Sequence, residues 1–480
     1  MATIDNITVN FRDINSTQTS NISGQSVKFE GGIDLQDWQT TSYRVSKDFF
    51  GGASQFSATF EDDRADQLLN IISMGQSISF RGFQGNQNVM IGFIDSIEIN
   101  PKRSGGKSLT INGRDRLGML SDASLYPNLG DQSIKTIYHF KATDTLYSVV
   151  QTIFQSSPGI TDFLINDDIK GLTATTGFGV GIRSAGKTAR GLSKSFLTNL
   201  NHLLQPSDGE TYLSYATRIC KRAGCIVRMQ EGSDNTIFVG PPTYDRERSP
   251  NFSIVRYSLS DLRSNVLEGR MNINIKDQPS IIIAQSVNGI NHPTFKRTTK
   301  KVICANEFTA YEQGPNITLT KSNARPSVQT SLDALTSGTN GYWPLKPNQA
   351  LFDIIPNTIA NINTTVSRPK YVNDHNSQTE EELQFYVAEL MAHYQDQYFS
   401  LEYEVEGHSQ NGVYWAPNLM VKVFDQSFHP EKPIDGNFWI RRVEFMNDRS
   451  GGARTRLTLN LPYIHVYDIP TIGSLEGGNR

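Results

Sequence analysis

The stretch Ile91–Asp122, IGFIDSIEINPKRSGGKSLTINGRDRLGMLSD, decides how the rest of the chain reads. Ile91, Phe93, Ile97 and Ile99 sit at even spacings, the period of a strand with one buried face. Pro101 and Gly105-Gly106 mark a reversal, because Pro fixes φ and Gly enters left-handed geometry without steric cost. The return arm puts Leu109 and Ile111 on one face and Thr110 and Asn112 on the other, then breaks at Gly113-Arg114-Asp115-Arg116. The stretch therefore predicts a long β-hairpin turning into a helical segment. It carries no nucleophile, metal ligand or phosphate loop.

A second hairpin of this kind is predicted at Phe438–Leu461. Ile94, Ile97, Glu98 and Ile99 match Ile440, Val443, Glu444 and Phe445 at a constant offset of 346 residues. The turns are identical, Arg103-Ser104-Gly105-Gly106 and Arg449-Ser450-Gly451-Gly452. After a shift of two residues Leu109-Thr110-Ile111 aligns with Leu457-Thr458-Leu459, and a short alternating strand precedes each hairpin (Ile78, Phe80; Val421, Val423). Turn, register and flanking strand together predict an internal duplication. Three copies of a chain holding two similar barrels present six, so a trimer matches a six-fold partner on one face.

Between and around the hairpins the pattern changes. Residues 1–118 carry short strands at barrel-like spacing: Val9-Phe11, Val27-Phe29, one bulged strand or two over Ser46–Phe60, and a short helix bearing Leu68, Leu69, Ile71 and Ile72. Residues 119–262 predict a small α/β domain. Leu146, Val149, Val150, Ile153 and Phe154 have helical spacing, and Ser207–Glu210 is a capping box before a helix facing inward with Tyr212, Ala216, Ile219 and Cys220. A small hairpin follows over Gly232-Ser233-Asp234. Strands return over 263–310, residues 311–377 form a polar insertion or arm, and a second capping box opens at Thr379. Residues 378–465 complete the second barrel, and 466–480 form a loosely held tail. The fold class expected is mainly β with α+β parts: two similar tube-like antiparallel barrels flanking a small α/β domain.

Composition excludes several functions. A net charge of −3 supplies no cationic excess to grip nucleic acid or anionic membrane. Cys220, Cys225 and Cys304, odd in number and without CxxC spacing, predict buried thiols rather than disulfides or a zinc site. The N-terminus has neither the basic nor the apolar region of a signal peptide, and no apolar run reaches the roughly 20 residues of a membrane span. A protein made in a reducing compartment is expected.

Gly181–Thr188 formally satisfies the phosphate-loop pattern GxxxxGK[ST]. The preceding GLTATTGFGV is no buried strand, and no repeating βα pattern surrounds it, so a glycine-rich loop is the preferred reading. The eight histidines are dispersed (His139, His202, His292, His375, His393, His408, His429, His465) and form no metal-ligand spacing. Asp62-Asp63, Asp167-Asp168 and Glu380–Glu382 read as turn and helix-start acids, and Arg114-Asp115-Arg116 as a structural ion-pair corner. No catalytic, cofactor-binding or metal-binding residue is assigned.

One family accounts for these patterns together. Gly92-Phe93-Ile94-Asp95, Ile111–Arg116, Leu120-Ser121-Asp122, Gly209-Glu210-Thr211, Cys220–Gly224, Tyr414–Asn418 and Val421-Lys422-Val423 give a chain that resembles the baseplate hub proteins of contractile-tailed bacteriophages of the Mu-like kind. Two departures are visible: 311–377 is longer than the family needs, and Met119–Asp122 replaces the commoner Asp-Leu-Val-Asp. The resemblance implies a non-enzymatic virion protein of the tail baseplate, assembled in the host cytoplasm. It implies a homotrimeric ring that adapts the six-fold tail tube to a separate three-fold spike and encloses a DNA channel without specific binding. Tail tube proteins, the trimeric spike, and baseplate wedge or tape-measure proteins are the partners implied, and no cofactor is. The alternatives are a hub with cell-wall hydrolase activity, a nucleotide site at Lys187, or a carbohydrate-binding tail module using Trp343, Trp415 and Trp439 as platforms.

Overall fold

The computed structural model describes residues 7–11, 17–22, 25–30, 40–69, 72–82, 88–101, 106–125, 144–155, 162–165, 209–222, 225–231, 236–240, 249–257, 264–274, 281–286, 300–305, 369–374, 396–428, 433–448 and 451–461, with isolated positions between them. In chain order its strands are β1 (Ile7–Phe11), β2 (Thr17–Ile22), β3 (Gln25–Glu30), β4 (Ser42–Asp48), β5 (Gln55–Glu61), β6 (Ser77–Gly82), β7 (Asn88–Pro101) and β8 (Lys107–Arg114). Next come β9 (Asp162–Ile165), β10 (Ile226–Met229), β11 (Thr236–Gly240), β12 (Ser253–Arg256), β13 (Val266–Ile273), β14 (Ile281–Ser286), β15 (Lys300–Ala305) and β16 (Pro369–Asp374). The last are β17 (Phe399–Glu406), β18 (Ser409–Gln410), β19 (Val413–Tyr414), β20 (Met420–Asp425), β21 (Ile434–Asp448) and β22 (Gly452–Asn460).

Twelve of these strands form one sheet, and it is a repeat. The first half runs β1-β6-β7-β8-β5-β4, and the second runs β12-β20-β21-β22-β17-β13 in corresponding order. The halves meet where β4 pairs antiparallel with β21. Mainly β structure is thus present as expected. Among the described residues, however, no sheet closes into a barrel. Strand β4, the edge the first half would need for closure, is taken by β21 instead.

The two hairpins are related more strictly than their sequences suggest. Ile97 faces Ile111 and Val443 faces Leu457, so both arms keep the offset of 346 and no two-residue shift is present. Leu109 corresponds to Thr455, and matching residue identities rather than cross-strand partners is what produced the apparent shift. Each hairpin also has a β-bulge at the same place, Asp95 between Ile94 and Ser96, and Arg441 between Ile440 and Arg442. A bulge adds one unpaired residue and increases local twist, so the halves share curvature as well as order. One difference remains: β1 lies antiparallel to β6, whereas β12 lies parallel to β20.

Alternation places Val45, Phe56, Ala58, Phe60, Leu109 and Ile111 in one core with Leu401, Tyr403, Val443, Phe445, Leu457 and Leu459. Each large side chain fully buried there contributes about 1.5–3 kcal/mol of transfer free energy. A second core lies under the helices Arg116–Asp122, Leu146–Gln155 and Tyr212–Arg222 and over the small sheet β10-β11-β9. The helix at Leu146 buries the five residues its spacing predicts. The helix at Tyr212 buries Tyr212, Ala216, Ile219 and Cys220, while Ser207 of the expected capping box lies outside the described residues. Thr211 accepts from the Ser214 N–H, and Glu210 turns to hold Arg218 at 2.8 and 2.9 Å, a bidentate pair stronger than a terminal backbone contact. Strands β14 and β15 form a separate sheet with β16. Among the described residues no helix is long and apolar enough to cross a membrane.

Candidate assembly surface

The seam between the halves is where distant sequence comes together. Six residue pairs align β4 with β21, from Arg442 opposite Asp48 to Asn447 opposite Tyr43, with Val45 facing Phe445. Val45, Val443 and Phe445 are fully buried, so apolar packing fixes the register on one face. On the other face Glu444 is 4% exposed in its side chain and is met by the Arg44 guanidinium, with Arg442 and Arg456 at 3.6 and 3.8 Å. Glu404 is held by Arg454 at 2.8 Å and Arg456 at 3.1 Å, extending the charged ladder onto β17 and β22. The Arg44 charge is reinforced by its hydrogen bond to Glu444, which raises its pKa against the opposing effect of burial.

A buried polar chain crosses the same seam. Thr455 Oγ1 donates to the Gly407 carbonyl at 2.6 Å, so it accepts from Nδ1–H of His408 at 3.0 Å. That leaves His408 Nε2 to accept the Tyr43 hydroxyl proton at 2.6 Å, while Tyr43 accepts from the Ile7 N–H at 3.3 Å. The tautomer is assigned from this network. Ile7 and Tyr43 belong to the first half, His408 and Thr455 to the second, so one neutral imidazole ties the halves together.

Among the described residues, two one-sided stretches of this sheet present exposed apolar side chains. β6 pairs with β7 only over Asn88–Phe93, so among the described residues the edge of β7 beyond the bulge has no partner strand. Ile99 there is 49% exposed, whereas its counterpart Phe445 is 0% exposed beneath β4. At the far end, among the described residues, β13 has a ladder only with β17; Asn265 just before it bonds back to Val255 of β12 at 3.1 Å, and beyond that point Leu267 is 52% exposed.

The residues singled out from sequence resolve as follows. Arg114 bridges Asp95 and Asp122, each at 2.6 Å, and Arg116 lies 4.6 Å over the Phe93 ring. Asp115 is buried and caps the helix at Arg116, accepting from Leu117 N at 3.0 Å and Ser54 N at 2.8 Å. Burial pushes its carboxyl up to about 6 against those hydrogen bonds. The corner is therefore structural. Asp63 and Asp66 open a helix at its first turn, as the dipole favours. Cys220 and Cys225 are buried thiols, with burial raising Cys220 well above its ordinary range and Cys225 up to about 12. Trp415 packs on Phe252 at 4.3 Å and Trp439 on Phe49 at 4.9 Å, both buried, so neither offers a sugar platform. Gly181–Thr188, Trp343, Asp167-Asp168, Glu380–Glu382, residues 466–480, most of 311–377 and every histidine except His393 and His408 lie outside the described residues. No cluster of three or more metal-ligating side chains occurs among the described residues.

Sequence reasoning missed one partly buried cluster. Glu231 receives Lys47 at 2.5 Å and Arg228 at 3.0 Å, linking β4 to the end of β10. Burial alone would raise the Glu231 carboxyl, but the two cations outweigh it and hold it below its ordinary range. The adjoining crevice, lined by Lys47, Phe49, Ser54, Asp115, Arg228 and Glu231, has room for about one water molecule and no substrate. Polar residues this far apart carry no periodic signal in the chain.

No protein-family model matches the chain, and no curated protein matches its sequence. Among solved structures it is similar to a tail protein from Neisseria meningitidis MC58, at 20% identity and TM-score 0.57, covering 95% of this chain and 97% of that one. It is also similar to the 43 kDa tail protein of prophage MuSo2 from Shewanella oneidensis, at 13% identity and TM-score 0.56, covering 95% and 99%. At such identities the likeness is one of fold, and it extends over nearly the whole length of all three chains: this protein has the fold of these two tail proteins.

Proposed function

We propose that the protein is a structural hub of a phage tail baseplate: a homotrimeric ring that presents six similar faces to a tail tube and three to a spike. The observation that carries this reading is the strand-for-strand repeat of β1-β6-β7-β8-β5-β4 in β12-β20-β21-β22-β17-β13 within one chain. A trimer of such chains has six near-equivalent units on one ring and three-fold character wherever the intervening segments differ. The fold shared with two tail proteins, one of them from a prophage, supports the setting. On this reading residues 1–118 and 263–310 with 378–465 supply the two tube-like units, with β14 and β15 set apart in their own sheet with β16; Ser253–Arg256 joins the second unit, and 119–262 otherwise forms the module between them. Residues 311–377 serve as an arm and 466–480 as a tail. The units close as tube-like barrels through their neighbours, around a channel that DNA crosses without being held, consistent with a net charge of −3.

The role is non-enzymatic on this reading, the location is the virion baseplate after assembly in the host cytoplasm, and the partners are tube, spike and surrounding wedge or tape-measure proteins. Electron microscopy of the purified protein, with sedimentation analysis, tests it. Rings with three-fold symmetry and six lobes on one face are expected, and a monomer at every concentration overturns the proposal. Clearing of a peptidoglycan gel by the purified chain would instead favour the hydrolase alternative.

A further inference from the structure

The repeat relates more than the hairpins. Through their registers on β5 and β17, Val45 on β4 corresponds to Met271 on β13, and Lys47 corresponds to Ile273. Through the hairpin offset, Val443 and Phe445 on β21 correspond to Ile97 and Ile99 on β7. The intramolecular seam is β4 on β21, so the two surfaces left without their counterparts are β13 and the outer half of β7. These are the one-sided stretches described above.

Resting on the ring reading, we propose that β13 of one copy pairs antiparallel with Ser96–Pro101 of β7 in the next copy, repeating the seam between chains. Transferring the seam's register puts Ile97 opposite Ile273, Ile99 opposite Met271 and Pro101 opposite Gly269. Ile97, Met271 and Ile273 are partly buried against the main core, and Ile99 is exposed, so the contact extends an existing apolar face. The other face transfers as well. At the seam Arg44 reaches diagonally to Glu444, and the counterparts of those two residues are Arg270 and Glu98, an arginine and a glutamate again. Both are exposed in a single copy. Diagonal neighbours on one face of an antiparallel pair lie within reach of long side chains, so the ion pair forms again.

The partner is therefore a second copy of this chain, held edge to edge. The contact is head to tail, since β7 and β13 are different surfaces, and such a contact gives a closed ring when its rotation divides the full turn, as the three-fold ring requires. Pro101, which lacks an N–H, falls at the end of the paired segment where a missing donor costs least.

Charge exchange tests the contact. Glu98→Arg and Arg270→Glu each set like charges against one another and are expected to weaken assembly roughly tenfold or more by sedimentation equilibrium, with unchanged circular dichroism. The double variant Glu98→Arg with Arg270→Glu is expected to restore assembly to within about threefold of the original. In addition, Asn100→Cys with Arg270→Cys should give ladders of cross-linked chains on oxidation, and each single cysteine variant should not. If the unmodified protein forms rings but neither single charge reversal weakens them and no ladder appears, the edge pairing is wrong while the ring stands. If the unmodified protein remains a monomer throughout, the ring reading falls and the pairing with it.

Discussion

The two halves of the sheet reach the same backbone with opposite side-chain volumes. In the first, Phe56 fills a slot opened by Gly92 and Gly113, whose absent Cβ atoms would lie 2.7 and 2.5 Å from its ring. In the second, the corresponding positions hold Leu401, Phe438 and Leu459, so the bulk has moved from the centre to the flanks. The bulges show the same exchange in charge. Asp95 pairs with Arg114 in one half, whereas Arg441 and Asn460, at the matching positions, both bind Asp396 in the other. A fold repeated within one chain keeps register, bulge and total packing, while the identity of each side chain drifts with its neighbours.

That comparison can be broken most sharply at Gly113. Giving it the residue of the second half, Gly113→Leu, places a Cβ about 1.9 Å from the Phe93 carbonyl oxygen. Because the clash is with backbone, destabilisation above about 4 kcal/mol and loss of soluble protein are expected, and adding Phe56→Leu should not rescue it. Expression and urea unfolding of both variants decide this. Phe56→Ala should cost about 3–5 kcal/mol, because the flanking glycines cannot fill the cavity, and chemical denaturation would read that loss directly.

At the seam, Tyr43→Phe removes the hydroxyl shared by His408 and the Ile7 N–H and should cost about 1–3 kcal/mol. A shift in the denaturant midpoint with an unchanged slope is the signature, and no shift would show that the buried chain is rewired. Asp115 has no equivalent in the second half, where Leu461 stands, and its effect depends on pH. Its carboxyl is raised in the folded state, so the folded protein binds the extra proton between about pH 4 and 6. Its stabilising contribution is therefore complete at acid pH and declines as pH rises through 6. The stability gap between the original and Asp115→Asn should shrink from pH 4 to pH 7, and a gap that widens would contradict the sign. Smallest of all, Arg44→Ala removes a side chain that is 58% exposed and should change stability by no more than about 1 kcal/mol.

Much of this was legible in the residues. Alternation in Ile91–Ile99 and Phe438–Phe445 marks strand faces directly, because a half-buried strand must repeat every second position. Helix periodicity from Leu146 to Phe154 was equally plain. What remained hidden depends on partners. Nothing local in Tyr43–Lys47 tells that it will meet β21 about 400 residues later, since many strand faces would fit the same apolar pattern. The parallel docking of β12 and the Lys47–Glu231–Arg228 cluster are invisible for the same reason. The bulges left no sequence mark either, since the bulged residues are Asp95 and Arg441, opposite in charge.

The span of the seam has a consequence for synthesis. The ribosome completes β8 long before it makes β21, and at about 5–20 residues per second the roughly 300 residues between them take some 15–60 s. Throughout that interval the β4 edge of the nascent chain stands open. An open β4 on one polysome is a match for any finished β21-like edge nearby, β7 included. Translation speed thus helps to determine whether the first strand to be paired finds its own chain or a neighbour's.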